Sequence, residues 1–194
     1  MKRALLALMI VVLPLLNGHA RAVTFAEKNL AQLVTEAEQI FVGTVSSLQS
    51  RKLPNGAIVT DVRFSRPQVI KGNNQGADIV LLLLGGEVEG VRLEIPGLPR
   101  FRHDTRYLVF SQGNGKDMFP VVGGPAGFFQ ITAGPADGSS VALTASGMPL
   151  GRGIAAEVLE SVSLPAQGAS QPPVTLELFL AAIKARLGRQ SSLQ

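Results

Sequence analysis

Short apolar runs separated by Gly/Pro turns are the feature that most constrains this chain. Seven or eight such runs lie between residues 39 and 145, and 118–122 is one of them. In 58–64 and 91–95 apolar and polar residues alternate, which is the period of a strand with one packed and one solvated face. The runs 40–45 and 79–84 are almost continuously apolar, which is typical of strands buried on both faces. Many short strands with turn residues between them predict a barrel or a sandwich.

One helix is predicted on each side of the strand region. Thr24 and Glu27 have the spacing of a capping box, and the apolar residues that follow at helical spacing predict a helix over 25–37. Thr175 caps a second helix, whose apolar stripe we expect to pack on the strands. The stripe consists of Leu176, Phe179, Leu180, Ile183 and Leu187. Residues 146–173 are rich in loop-forming residues, with a short helix predicted near 154–159.

The first 22 residues have the three parts of an export signal. Lys2 and Arg3 form a positive start, 4–16 is an apolar run, and Ala20-Arg21-Ala22 fits the small-x-small rule of signal peptidase. A membrane span needs about 20 apolar residues, so this run is short for a permanent anchor. We therefore expect cleavage after Ala22 and an extracytoplasmic protein, periplasmic or secreted, with no stable membrane anchor. An uncleaved anchor is the alternative.

Composition narrows the class of protein and of partner. The content of 46% apolar and 16% charged residues excludes an intrinsically disordered chain. Three of the 18 Lys and Arg residues lie in the first 22 positions, so 15 basic residues face 14 acidic ones in the predicted mature chain. Because phosphate binding needs clustered Lys and Arg, we expect no nucleic acid as a partner.

The mature sequence contains no recognisable catalytic, cofactor or metal pattern. Cysteine is absent, which removes thiol catalysis, disulfides and cysteine zinc sites. The one mature histidine, His103, cannot build a histidine-rich metal site, and no Gly-x-Ser-x-Gly motif supports a Ser-His-Asp arrangement through it. The Gly-rich stretches 113–116 and 123–127 lack the spacing of a phosphate loop. We expect a non-enzymatic protein without cofactor or metal; the alternative is a hydrolase with an unrecognised site.

Interleaved charges mark the candidate contact surface. Glu87 and Glu89 follow Gly85-Gly86 and are interpreted as a solvated strand face, with a carboxylate pair as the alternative. Around them, basic and acidic residues interleave and predict a salt-bridged rim, whose further members are Arg92, Arg100, Arg102, Arg106, Glu94 and Asp104. Arg and aromatic side chains favour protein–protein contacts, so this rim is the expected site of partner binding. The candidate contact residues are Glu87, Glu89, Arg100, Phe101, Arg102 and His103.

Four segments follow one another in a recognisable order. They are "AEQIFVGTVSSL", a long strand ending in "QVIKG", "IVLLLLGGEVEG" and "RYLVFS". In this order they resemble the netrin-like, metalloproteinase-inhibitor-like family of modified OB barrels, and the chain is similar to exported bacterial proteins of that shape. The matching residues are Phe41, Gly43, Val45, Val69, Lys71, Gly72, Tyr107, Leu108 and Phe110.

The resemblance implies an OB-like closed barrel but does not carry the family's inhibitory residue over. Inhibitors of that family chelate the protease zinc with an N-terminal cysteine, whereas the predicted mature chain begins at Val23-Thr24. The free amine of Val23 could still reach a metal, although the predicted helix cap would hold that end of the chain.

Together these observations predict an all-β protein. The predicted organisation is a signal peptide over 1–22, an OB-like closed barrel of about seven strands with its N-terminal helix over 23–150, a loop and linker over 151–173, and a C-terminal helix over 174–190 docked on the barrel. The predicted function is an exported, non-enzymatic binding or accessory protein that contacts another exported protein through barrel loops. The alternative is an inhibitor or regulator of a zinc peptidase.

The export signal makes a direct prediction about the mature N-terminus. When the gene is expressed in a bacterial host with a signal peptidase, the protein outside the cytoplasm should begin at Val23, because the small residues Ala20 and Ala22 satisfy the cleavage site. N-terminal sequencing of the exported protein checks this. A chain that begins at Met1 and stays in the membrane fraction would support the uncleaved anchor instead.

Overall fold

A computed structural model describes residues 28–73, 77–95, 98, 100–134, 139–161 and 173–192. Its elements in chain order are α1 (Leu30–Glu36), β1 (Gln39–Lys52), β2 (Ile58–Lys71), β3 (Ile79–Leu84), β4 (Gly86–Val88), β5 (Val91–Leu93), β6 (Arg106–Ser111), a 3-10 turn (Gly124–Gly127), β7 (Phe128–Ala133), β8 (Ser140–Leu143), α2 (Arg152–Ser161) and α3 (Leu176–Ser191). Six strands form one antiparallel sheet in the order β3-β2-β1-β6-β7-β8, and β4 and β5 form a separate hairpin. Within the described ranges, no helix is long and apolar enough to cross a membrane.

The long strand β1 is the centre of the sheet. It pairs with β2 over residues 40–52 and with β6 over residues 39–44. Opposite Gly43 the register shifts, because Arg66 and Pro67 bulge out of β2. A Cβ atom on Gly43 would lie 3.1 Å from the Cβ atom of Phe64, so a larger residue would require Phe64 to shift by a few tenths of an ångström. Arg66 has φ 45°, a strained conformation for the residue before a proline.

Alternate residues of the central strands bury two separate apolar clusters. The helix-facing cluster includes Ile40, Val42, Leu108, Phe110, Phe129 and Ile131, together with buried residues of the three helices. The opposite, loop-facing cluster includes Phe41, Val45, Phe64, Phe101, Tyr107, Val109 and Phe128. Because the central strands are covered on both faces, their sequences are apolar runs rather than alternating ones.

The prediction of a closed barrel is wrong. The sheet is open, because its edge strands β3 and β8 do not pair with each other. At β3, the side-chain amide of Asn114 donates to the Val80 carbonyl (2.7 Å) and accepts from the Leu82 N–H (2.9 Å). At β8, the Ala142 N–H donates to the Val174 carbonyl (2.9 Å). Each edge is thus covered by a nearby loop, which protects it without closure.

Two strand predictions also need correction. Only alternate residues of β3, from Ile79 to Leu83, are buried, because they belong to the loop-facing cluster, whereas no residue of β3 belongs to the helix-facing cluster. Residues 118–122, which we expected to be a strand, make a single bridge, Val121 to Ser111, and otherwise form turns.

The three described helices form a layer on one face of the sheet. The cap of α1 is Asn29, which exchanges hydrogen bonds with Gln32, whereas the predicted cap at Thr24 lies outside the described residues. The short helix predicted near 154–159 is confirmed, and as α2 it extends over Arg152–Ser161. One carboxylate connects the three helices. Glu157 of α2 accepts from the Leu30 N–H of α1 and from Arg186 of α3, both at 3.1 Å.

The Lys71-Gly72 pair of the "QVIKG" segment connects the sheet to α1. The Lys71 ammonium donates to the carbonyl oxygens of Val34 (2.8 Å) and Thr35 (3.3 Å), which are unpaired groups of the last helical turn. Partial burial lowers the pKa of Lys71. Gly72 has φ +91°, and a Cβ atom there would lie 2.9 Å from the Glu38 carbonyl oxygen. The pair therefore has a structural role.

The Asn114 cover of β3 can be tested by removing its side-chain amide. We expect Asn114→Ala to lower the free energy of unfolding by about 1 kcal/mol, because two backbone groups lose their partners. The open edge should also promote association at high protein concentration. Urea denaturation and sedimentation velocity measure the two effects.

A matched control is Asn55→Ala. Asn55 also accepts a backbone hydrogen bond, from the Ala57 N–H (3.1 Å), but it lies in the turn between β1 and β2 and away from any edge. This variant should stay monomeric under conditions in which Asn114→Ala associates. Equal association of the two variants would contradict the edge-covering role.

Candidate functional site

Two consecutive glycines turn the chain from β3 into a hairpin that crosses the loop-facing side of the sheet. Gly85 has φ +106° and Gly86 has φ +134°, conformations that other residues rarely adopt. A Cβ atom on Gly86 would also collide with the hydroxyl oxygens of Ser50 and Thr60. The hairpin β4–β5 therefore lies directly on the side chains of β1 and β2.

A directed chain of hydrogen bonds holds the hairpin on the sheet. Thr60 donates its hydroxyl proton to the Gly85 carbonyl (2.7 Å). Its oxygen must then accept the proton of Ser50, whose hydroxyl lies 3.0 Å away, and Ser50 accepts from the Glu87 N–H (3.3 Å). Because a hydroxyl has one proton, the direction of every bond is fixed. We call this chain the hydroxyl relay.

The hairpin, the sheet and two loops enclose a groove of about 440 Å³. Its walls are mostly apolar, and Ser50 and Thr60 of the hydroxyl relay are among its lining residues. This volume is within the range of small-molecule pockets, which are mostly apolar with a few polar groups. The apolar lining residues are Leu48, Val62, Leu83, Leu84, Leu93, Ile95, Leu98, Phe101 and Phe119.

Four charged side chains of alternating sign form the rim of the groove. Arg92 Nη2 lies 2.7 Å from Glu87 Oε2, and Arg92 Nη1 lies 3.3 Å from Glu94 Oε1. Arg100 Nη2 lies 2.5 Å from the same oxygen of Glu94. The chain of ion pairs therefore begins with the carboxylate of Glu87 and ends with the guanidinium of Arg100.

These ion pairs shift two pKa values in the expected directions. Arg100, and to a smaller extent Arg92, lowers the pKa of Glu94, while Glu87 and then Glu94 raise the pKa of Arg92. Because all four side chains are at least half exposed, each pair contributes little to stability. The rim therefore positions charge at the mouth of the groove.

Exposed apolar side chains lie on the elements that form or adjoin the groove. Leu48, which is 38% exposed, lines the groove. Met118 is 66% exposed, and its carbonyl accepts from the N–H of the lining residue Leu84 (2.8 Å). Val91, on the hairpin, is 63% exposed. An apolar groove with a charged rim is typical of a binding surface.

The structure brings three of the six predicted contact residues together at the groove. Glu87 and Arg100 belong to the rim, and Phe101 lies in the wall. Phe101 is only 5% exposed and packs on Phe64, Tyr107 and Phe128, so most of its ring is core. The salt-bridged rim predicted from the interleaved charges is confirmed for Arg92 and Arg100.

The other three predicted contacts lie outside the groove lining. Glu89 is exposed in the two-residue turn between β4 and β5, so it does not form a carboxylate pair with Glu87. Arg102 is exposed. His103 places one ring nitrogen 2.9 Å from the Ser46 carbonyl oxygen and the other 2.9 Å from Asp104. Across the described ranges, no cluster of three or more His, Asp or Glu side chains could hold a metal ion.

Sequence reasoning missed the hydroxyl relay and the hairpin. One signal for the hairpin is present, since Val88 and Val91 flank Glu89-Gly90, and both turn residues have positive φ. Ser50 and Thr60 carry no comparable signal, because they are ordinary polar positions of alternating strands. The amine of Val23, on which the zinc-peptidase hypothesis depends, lies outside the described residues.

The hydroxyl relay predicts how the hairpin is held. We expect Thr60→Val to destabilise the protein by about 1–2 kcal/mol, because the Gly85 carbonyl and the Ser50 hydroxyl both lose their partner. Thr60→Ser keeps the hydroxyl and is the matched control. Hydrogen exchange at the Glu87 amide should speed up in Thr60→Val and stay near the original rate in Thr60→Ser. Unchanged exchange in the valine variant would contradict the relay.

Comparisons with protein-family models, curated proteins and solved structures found no match for this chain. The resemblance to netrin-like barrels therefore stays a prediction from four sequence segments. The groove and its side chains are the basis on which function can be argued.

Proposed function

We propose that this is an exported, non-enzymatic binding protein and that its ligand site is the groove beneath the β4–β5 hairpin. One observation supports this most directly. The exposed side chain of Leu48 lines a mostly apolar groove of about 440 Å³. Burying such side chains against a partner is favourable by about 25 cal/mol per Å² of apolar surface.

The chemistry of the lining supports binding rather than turnover. The hydroxyls of Ser50 and Thr60 are committed to holding the hairpin, and neither has a histidine as a hydrogen-bond partner. The rim carboxylates are paired with guanidinium groups rather than with each other. Such groups can orient a ligand at the mouth, while the apolar walls supply the affinity.

The rigid setting of the groove also favours a preformed site. Phe101 in its wall is fixed by three aromatic neighbours, with ring centroids 4.7 to 5.5 Å away. The buried hydroxyl of Tyr107 accepts from the Arg102 N–H (3.2 Å) and so holds the turn that carries Phe101. A wall held in place before binding loses little conformational entropy when a ligand enters.

An uncharged apolar dye tests the groove as a binding site. N-phenyl-1-naphthylamine should bind the purified protein and gain fluorescence. Leu48→Glu should weaken that binding at least about tenfold, because it places a carboxylate on the apolar wall. Fluorescence titration measures the change.

Met148→Glu is the matched control. Met148 is 62% exposed, and it does not line the groove. The dye should bind this variant as it binds the original protein, and both variants should melt within about 2–4 °C of it, as is usual for surface substitutions. No dye binding by the original protein, or equal loss in both variants, would overturn the proposal.

A further inference from the structure

The hydroxyl relay itself offers a ligand no free hydrogen-bond donor. Both hydroxyl protons and the Glu87 N–H are used inside the relay. A peptide carbonyl placed there would lose its water and gain no donor, which is unfavourable. The inserted part of a ligand should therefore carry no carbonyl or amide groups.

The outer edge of the hairpin also offers a peptide few backbone hydrogen bonds. Glu87 and Arg92 lie opposite each other in the hairpin. Because the Glu87 N–H points away from β5 to Ser50, these two residues exchange no backbone hydrogen bonds. Within the three-residue strand β5, only Arg92 then directs its N–H and carbonyl outwards. One residue is too short an edge for strand addition, which needs a row of such groups.

The size of the groove also favours a chain over a single side chain. A cavity of about 150 Å³ is enough for benzene. The groove is almost three times as large, at about 440 Å³, so one phenylalanine or leucine from a partner would leave most of the apolar wall uncovered. A flexible hydrocarbon chain can cover it along its length.

The two terminal charges of the rim have different neighbours. The Glu87 N–H donates to Ser50 of the hydroxyl relay, whereas Arg100 directly precedes Phe101 of the apolar wall. In the described part of the chain, the only acidic partner of Arg100 is Glu94, through one terminal nitrogen. An anion at Arg100 would continue the alternating order of charges along the rim, and a guanidinium binds carboxylates well.

We propose that the groove binds one aliphatic chain with an anionic head group, with the hydrocarbon against the apolar walls and the head group at Arg100. This inference rests on the proposed function, because it names the ligand of the same groove. The ligand is bound as a monomer rather than as part of a membrane surface, because the groove encloses the volume of a single chain.

Displacement of the bound dye by amphiphiles below their micelle concentrations tests the ligand class. Dodecanoate should displace the dye at about fivefold lower concentration than dodecyltrimethylammonium, the difference expected from one exposed ion pair. Octanoate should be at least about tenfold weaker than dodecanoate, because it buries four fewer methylene groups. Dodecanol should be weaker than dodecanoate.

Two arginine variants separate the head-group contact from general surface charge. Arg100→Gln should remove the preference for dodecanoate over dodecyltrimethylammonium. Arg102→Gln removes the same charge from an exposed arginine that does not line the groove, and it should keep the preference. Because both side chains are exposed, neither change should prevent folding.

Four results would overturn this inference. The first is a preference for the cationic amphiphile, and the second is equal binding of dodecanol and dodecanoate. The third is an equal effect of the two arginine variants. The fourth is stronger displacement of the dye by an uncharged apolar tripeptide, or by anionic lipid vesicles, than by dodecanoate. In each of these cases the dye still binds, so the groove stands as a binding site while its proposed ligand fails. Absence of dye binding would instead contradict the proposed function.

Discussion

The rest of the structure depends on how β1 is held. This strand is hydrogen-bonded along both edges, and its first half is buried on both faces. Residues 40–43 are buried, and the strand pairs with β2 on one side and with β6 on the other. The close approach at Gly43 and the bulge at Arg66-Pro67 shift the register there. The second half of β1 continues with β2 alone and supplies Leu48 and Ser50 to the groove. One strand thus supports the core and the candidate site.

The two faces of the sheet are held by different interactions. On the helix-facing side, apolar packing dominates, and the polar contacts of Lys71 and Glu157 connect the helices to the sheet and to one another. At the far end of the loop-facing side, the hairpin is held by the hydroxyl relay and by exposed ion pairs. Such contacts are weaker than a packed core, so the hairpin belongs to the least stable part of the fold. A ligand that covers the apolar wall would add the apolar packing that the hairpin end of the fold lacks.

The sequence could predict elements whose signals are local. The apolar run of β1, the alternation in β2 and the apolar stripe of α3 each reflect burial along a single element. Sheet closure is different, because it depends on what meets β3 and β8. Asn114 lies more than 30 residues after Val80 in the chain, and no local pattern indicates that its amide covers that edge. The candidate site shows the same difference. Its rim charges form a cluster in the sequence, whereas the hydrogen bonds that connect Ser50 and Thr60 to Gly85 depend on strand register.

The position of α3 after every described strand affects when the core can form. Phe179 packs on Phe129, with ring centroids 4.9 Å apart, and Leu176, Ala182 and Ile183 are buried beside it. Until α3 has been synthesised, the helix-facing side of the sheet lacks this cover, and contacts between distant parts of a chain form late. A nascent chain that stops before α3 therefore exposes part of its helix-facing core.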